Sequence, residues 1–199
     1  MTHQHASRIV IRRTRGDIPT PVVGHDRRWA LIRTLLHDTT LPTATRLAGL
    51  LLRLYAQPVS RTARLRPDQV TRTGDTVHLA HGPQPSALPG PLAELVVTLA
   101  ERRHGHGTLG RTPDHPWLIP GRDAGQPISA SALPLALNQL GIRARPARNT
   151  TLIELTAELP PSVVARLLGL NINSAERWST EAAGQATYAI DLARRPLRQ

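Results

Sequence analysis

The chain has 199 residues, enough for one domain with a core of its own and no need of a metal or disulfide staple. With 40% hydrophobic residues, no Phe, 18 Pro and no Cys, it predicts a Leu, Val, Ile and Ala core cut by many turns; disorder, thiolate metal sites and a cysteine nucleophile are excluded. Twenty-five basic against 14 acidic residues leave a net charge of +11, a field that favours a polyanion. In chain order, residues 1–26 read as a basic tail, with Arg8, Arg12, Arg13 and Arg15 around an Ile-Val-Ile run and then Pro19, Pro21 and Gly24. From Arg27 to about Asp38 an amphipathic helix is expected, with Trp29, Ile32, Leu35 and Leu36 inward and Arg28 and Arg33 off that face. Thr39 or Thr40 is positioned to cap a second helix carrying Pro42 in its first turn, a buried stripe of Leu47, Leu50, Leu51 and Leu54, and a stop at Pro58.

A hairpin follows, turning at Gly74 and Asp75, with Val77 and Leu79 alternating in the returning strand. Pro83 to Pro91 reads as a loop, Leu92 to about Arg103 as a helix with Leu92, Leu95, Val96 and Leu99 inward, and Gly105 to Pro116 as a polar loop. Trp117, Leu118 and Ile119 form a short apolar strand ended by Pro120 and Gly121, and Ser129 or Ser131 caps a helix running to Leu140 before Gly141. Helices over 148–158, 161–168 and 174 to about 193 complete a domain of residues 27–193, and 194–199 form a basic tail with Arg194, Arg195 and Arg198. The fold class is therefore α+β, mainly α, with a small antiparallel sheet. Apolar runs such as the stretch at 49–52 are short and the first thirty residues hold Arg and His, so a soluble, cytoplasmic protein without a membrane segment is expected.

The order of these segments (helices, a basic turn before a strand pair, the Trp117 to Gly121 strand, a helix, Gly141-Ile142, an Arg-rich box and the Leu167-Leu168-Gly169 helix end) resembles the catalytic domain of the tyrosine recombinase (phage integrase) family, from about Leu41 to Ala189. More closely it is similar to actinobacterial recombinase-like proteins in which the Leu54 to Pro58 and Ala165 to Gly169 strings recur. The resemblance implies duplex DNA as partner and a reaction using a tyrosine nucleophile, two phosphate-clamping arginines, and Lys and His groups for proton transfer. The family's N-terminal core-binding domain does not fit in the forty residues before Leu41, so the resemblance further implies a truncated recombinase or the C-terminal part of a longer one.

Residue by residue, this constellation is depleted. Counting back seven positions from Leu65 puts Pro58 at the first arginine, with Ser60 at the following serine; Arg61 or Arg64 is the available substitute. In the His-x-x-Arg box the chain reads Arg145, Pro146, Ala147, Arg148, so Arg148 matches the second arginine and Arg145 replaces a histidine with a group that binds phosphate but cannot shuttle a proton. Leu170 stands at the next histidine and Trp178 at the nucleophile, leaving Tyr188 as a displaced candidate, and there is no lysine anywhere. A DNA-binding, recombinase-like domain without strand cleavage is the expected function; a protein-interaction scaffold and an active recombinase using Tyr188 are the alternatives.

All 25 cations are arginine, whose planar fork matches phosphate oxygens; a GC-rich coding bias accounts for Arg over Lys but not for the excess of base over acid. Arg61, Arg64, Arg66 and Arg72 flank the hairpin and Arg143, Arg145 and Arg148 precede the C-terminal helices; in the recombinase fold both segments face the DNA backbone. For Arg148 the competing role is structural, pairing with an acid such as Glu154 or capping helix carbonyls. Glu154 and Glu158 otherwise read as an exposed pair of like charges. His104, His106 and His115 have a spacing metals use, but a solvated Gly-rich loop is the simpler reading, and Trp29, Trp117 and Trp178 read as core or helix anchors. No metal or cofactor is expected, since no hydrolase elbow, phosphate loop or dinucleotide fingerprint is present.

Overall fold

The computed structural model describes residues 25–101, 105–107, 110–112, 115–123 and 125–194. The expected N-terminal tail, except its last two residues, and most of the C-terminal tail lie outside them, as does His104. The first helix, α1 (His25–His37), buries Ile32 and Leu35 as its periodicity requires. Trp29 departs from the expected face: it is 38% exposed, with the Arg28 guanidinium 5.6 Å from its ring centroid. Neither Thr39 nor Thr40 caps the second helix, α2 (Thr43–Tyr55); Thr40 instead donates to the Asp38 carboxylate, and Pro42 occupies the N-cap with no side-chain bond. Those two bonds from Thr40 hold the Asp38 carboxyl below its ordinary range.

All residues of α2 from Thr45 to Arg53 are buried, because α1, α4 (Gly90–Glu101), α5 (Ala132–Gln139) and α6 (Ala144–Glu158) pack around it. Two arginines are thereby drawn inside. Arg46 donates from Nε to the Leu35 carbonyl at 2.9 Å and from Nη2 to that of Leu36, so its cation closes the last turn of α1 where the helix dipole is negative. Arg53 is 2% exposed, and burial first, then the neighbouring Arg28 charge, lowers its guanidinium's affinity for a proton. Arg28, expected on the solvent side, lies 2.7 Å from the Glu154 carboxylate and donates to the Arg53 carbonyl. Glu154 is thus a half-buried counter-ion rather than an exposed like-charge neighbour of Glu158.

Pro58 does not itself end α2. The helix stops at Tyr55, and Ala56 turns left-handed (φ 48°), the only non-glycine among the described residues to do so. A short helix, α3 (Val59–Thr62), follows, then a 3-10 turn at Pro67–Gln69 and the expected hairpin of β1 (Val70–Thr73) and β2 (Thr76–Leu79). Its register sets Thr73 opposite Thr76, and Gly74 takes the positive φ (58°) that such a two-residue connection demands. Within the expected loop after it, β3 (Ser86–Ala87) adds a third antiparallel strand to β2. The expected polar loop at 105–116 also contains structure: β4 (Gly105–Gly107) and β5 (Gly110–Thr112) pair antiparallel, closed by Gly107 opposite Gly110.

Trp117 to Ile119 does not form a strand. Flanked by prolines that cannot donate to a ladder, it makes two scattered backbone bonds, Leu118 N–H to the Leu65 carbonyl at 2.7 Å and Ile128 N–H to the Ile119 carbonyl at 3.0 Å, beside an isolated bridge of Pro120 to Pro127. The expected helix from 148 begins earlier, at Ala144, since Pro146 sits in the first turn where its missing N–H has no partner to lose. Next come α7 (Pro161–Leu168), ended by left-handed Gly169, and α8 (Ile172–Arg194), whose first turn is held by the Asn171 side chain accepting from Asn173 N–H. A second apolar cluster of Ala56, Leu152, Val164 and Leu168, with Leu170 and Trp178 packed against it, binds these last helices to the end of α2. The architecture is mainly helical α+β with one three-stranded antiparallel sheet beside the helices.

Candidate nucleic-acid interface

The left-handed turn at Ala56 starts the segment that carries most of the candidate residues. Pro58 fixes an extended backbone (ψ 134°) ahead of α3, and its carbonyl accepts the Arg61 and Thr62 N–H groups, so this proline builds the turn that presents Arg61. One wall of a cavity of about 650 Å³ is made by Ser60, Arg61 and Arg64; the facing wall is made by Asp123 and the strap 125–130. Exposed Ser60, Arg61, Arg64, Asp123 and Gln126 edge the opening, whereas buried Leu51, Gln57, Leu65 and His81 form its floor. The strap is held by Trp117 Nε1–H to the Gly125 carbonyl (3.0 Å), by Gly121 N–H to Gln126 O (2.9 Å) and by Ile128 N–H to Ile119 O (3.0 Å). A side chain at Gly121 would meet the Pro127 and Gln126 carbonyls, so the strap passes over this residue at backbone contact.

At the floor, Gln57 Nε2 donates to the His81 carbonyl (3.1 Å) and faces His81 Nδ1 at 2.7 Å. An amide nitrogen only donates, so Nδ1 accepts and the imidazole proton resides on Nε2, which is enclosed without a partner among the described residues. Burial lowers the His81 pKa, and the same hydrogen bond keeps the ring neutral. Tyr55 packs edge-on against it, ring centroids 4.8 Å apart, and burial raises the Tyr55 phenol's pKa.

Arg148, on α6, reaches this region from the other side. Its Nε donates to the Ala56 carbonyl at 2.8 Å, and its pKa is lowered by burial first and then by the positive charge of Arg61. Of the competing structural roles expected for it, pairing with Glu154 is not found, because Glu154 serves Arg28, but capping of a helix end is, since Ala56 is the C-cap residue of α2. Among the described residues the ion pairs are Arg28 with Glu154 and Arg66 with Asp68, so neither Arg61, Arg64 nor Arg148 has a carboxylate partner.

The remaining candidates disperse. Arg66 is exposed, 3.7 Å from Asp68 and 6.0 Å from the Trp117 ring centroid, and Arg72 holds its own hairpin turn through Nε to the Gly74 carbonyl. Arg143 is the exposed N-cap residue of α6 and Arg145 an exposed residue of its first turn. Leu170 and Trp178 are packing residues of the second cluster. Tyr188 falls in α8, but its side chain lies outside the described residues. His115 is buried, its Nδ1 accepting from Trp117 N–H, and no metal-competent group of three ligands occurs among the described residues. No described helix is long and apolar enough to cross a membrane.

Sequence reasoning missed the Gln57 and His81 pair and the Asp123 rim. The two floor residues are 24 positions apart and meet only because the hairpin returns beside the end of α2, which leaves no periodicity to read. No protein-family model matches this chain, and a search of curated proteins finds none with significant similarity to it.

Proposed function

We propose that this chain binds duplex DNA through its phosphates, as a recombinase-like domain that has lost strand-cleavage chemistry. The observation that carries this reading is the Arg61 and Arg148 pair. Two guanidiniums near enough for one charge to act on the other, Arg61 exposed on the cavity wall and Arg148 bonded to the Ala56 carbonyl, have no carboxylate partner among the described residues. Like charges brought together in this way repel unless an anion joins them, and a phosphodiester offers two oxygens to two planar forks. Arg64 on the same wall and exposed Arg143 and Arg145 at the start of α6 extend the basic surface for neighbouring phosphates.

Cleavage is excluded from the proposal by the residues that would have to perform it. Pro58 has no side-chain donor, Trp178 and Leu170 are committed to packing, and Arg145 stands where the reaction would need a histidine. A mobility-shift titration on a fully paired duplex tests the reading. Weak to moderate, sequence-independent binding at low salt that weakens steeply at physiological salt is expected. Undetectable binding at low salt, or binding flat in salt, overturns it and favours a scaffold role.

A further inference from the structure

A paired duplex lays phosphates on a protein surface but keeps its bases stacked, so it puts nothing into a cavity of about 650 Å³. That cavity nevertheless opens beside the proposed phosphate clamp, and its volume is within the range of sites that enclose small organic ligands. Its two walls differ in charge. Arg61 and Arg64 stand on the α3 side, while the strap side carries the carboxylate of Asp123; between them lies a floor that is apolar at Leu51 and Leu65 and polar at the neutral His81. The carboxylate repels phosphate, which confines that group to the arginine side, and it accepts hydrogen bonds from an amino or imino edge. A ligand matching this arrangement is anionic at one end, flat and largely apolar in the middle, and a hydrogen-bond donor at the other.

We infer that the cavity receives one unpaired nucleotide, its phosphate on Arg61 and Arg64, its base over the Leu51 and Leu65 floor, and an N–H edge on Asp123. This rests on the phosphate-binding reading and adds to it a preference for DNA with a base already out of the stack, because extruding a paired base costs a few kcal/mol that a bulge does not require. Among the described residues no Phe, Tyr or Trp lines the cavity and its one aromatic ring, His81, belongs to the buried floor, so recognition is assigned to the base edge rather than to stacking, and a donor-rich guanine fits the carboxylate better than thymine does.

The test is fluorescence-anisotropy titration of the full chain with three probes of one sequence: a paired duplex, the duplex with a single bulged guanine nucleotide, and the duplex with an abasic residue at the bulge. The bulged guanine is expected to bind about tenfold more tightly than either other probe. Ser60→Trp and Ala130→Trp, which fill the cavity from opposite walls, should each bring the ratio of bulged to paired affinity to one, with the fold verified by circular dichroism. Equal affinity for all three probes, with paired-duplex binding intact, overturns the inference and leaves the phosphate reading standing. A ratio that survives in both folded variants also overturns it. Failure of every probe to bind at low salt overturns the phosphate reading itself.

Discussion

Arg148 Nε lies 2.8 Å from the carbonyl oxygen of Ala56, joining residues 92 positions apart in the chain. The bond ties the first turns of α6 to the left-handed residue that redirects the backbone into α3, and it leaves the rest of the guanidinium near Arg61. Arg148 therefore holds the fold and the proposed phosphate at once. Arg148→Ala should lose stability by about 1.5–3 kcal/mol, the usual range for a hydrogen bond to a charged group. It should also reduce the salt slope of DNA binding by about one. Thermal melting and salt-dependent binding on the same preparation check both; a destabilised variant with an unchanged slope removes Arg148 from the site.

Glu154 sits beside part-buried Arg28 and buried Arg53, paired with the first at 2.7 Å and acting on the charge of the second. Glu154→Gln leaves those cations without their carboxylate, and unfolding free energy from urea titration should fall by about 3 kcal/mol, the lower end of the range for breaking a buried pair. Arg28→Met together with Glu154→Gln should recover part of that loss. If Glu154→Gln is as stable as wild type, the ion pair is not structural.

Much of this interior was legible in the sequence and some was not, for a physical reason. The leucines of α2, the Gly74 hairpin and the Gly169 helix end follow from periodicity and backbone preference, which are local. Arg46 and Arg53 are buried, and Arg28 partly so, for non-local reasons: Arg46 meets the open carbonyls of α1, and Arg28 meets Glu154 from a helix more than a hundred residues away. An arginine on a helix reads as solvated until its partner is in place. Of the cavity's lining, Arg61 and Arg64 are among the arginines that the order of segments singles out, whereas the Gln57 floor and the Asp123 rim depend on how the hairpin and strap fold back.

His81 is kept neutral by burial and by accepting from Gln57. Its folded pKa is below the ordinary 6.5, so the unfolded chain takes up the proton first as pH falls. The stabilisation is complete above about pH 6.5 and declines as pH drops from there toward the folded value. Melting temperature should fall between pH 7.5 and pH 5.5, about the window in which histidine titrates, and His81→Gln should fall less steeply. Identical pH profiles for the two proteins remove His81 as the source.

Suicide substrates that trap a phosphotyrosine link should give no covalent adduct after denaturation, since in the proposed recombinase-like reading the nucleophile's place falls to Trp178, which packs against the second apolar cluster. An adduct that disappears in Tyr188→Phe reverses the conclusion on cleavage.

Phosphate recognition by an arginine pair is tested most directly at Arg61, which is exposed, has no ion pair among the described residues and contributes a repulsive charge to Arg148. The measurement is the slope of log affinity against log salt for paired duplex, in wild type and in Arg61→Ala. If on the order of five phosphates are neutralised, wild type should give a slope of about −4 to −5. Arg61→Ala should be shallower by about one with melting unchanged or raised. Equal slopes and affinities for the two proteins would contradict a phosphate held between Arg61 and Arg148.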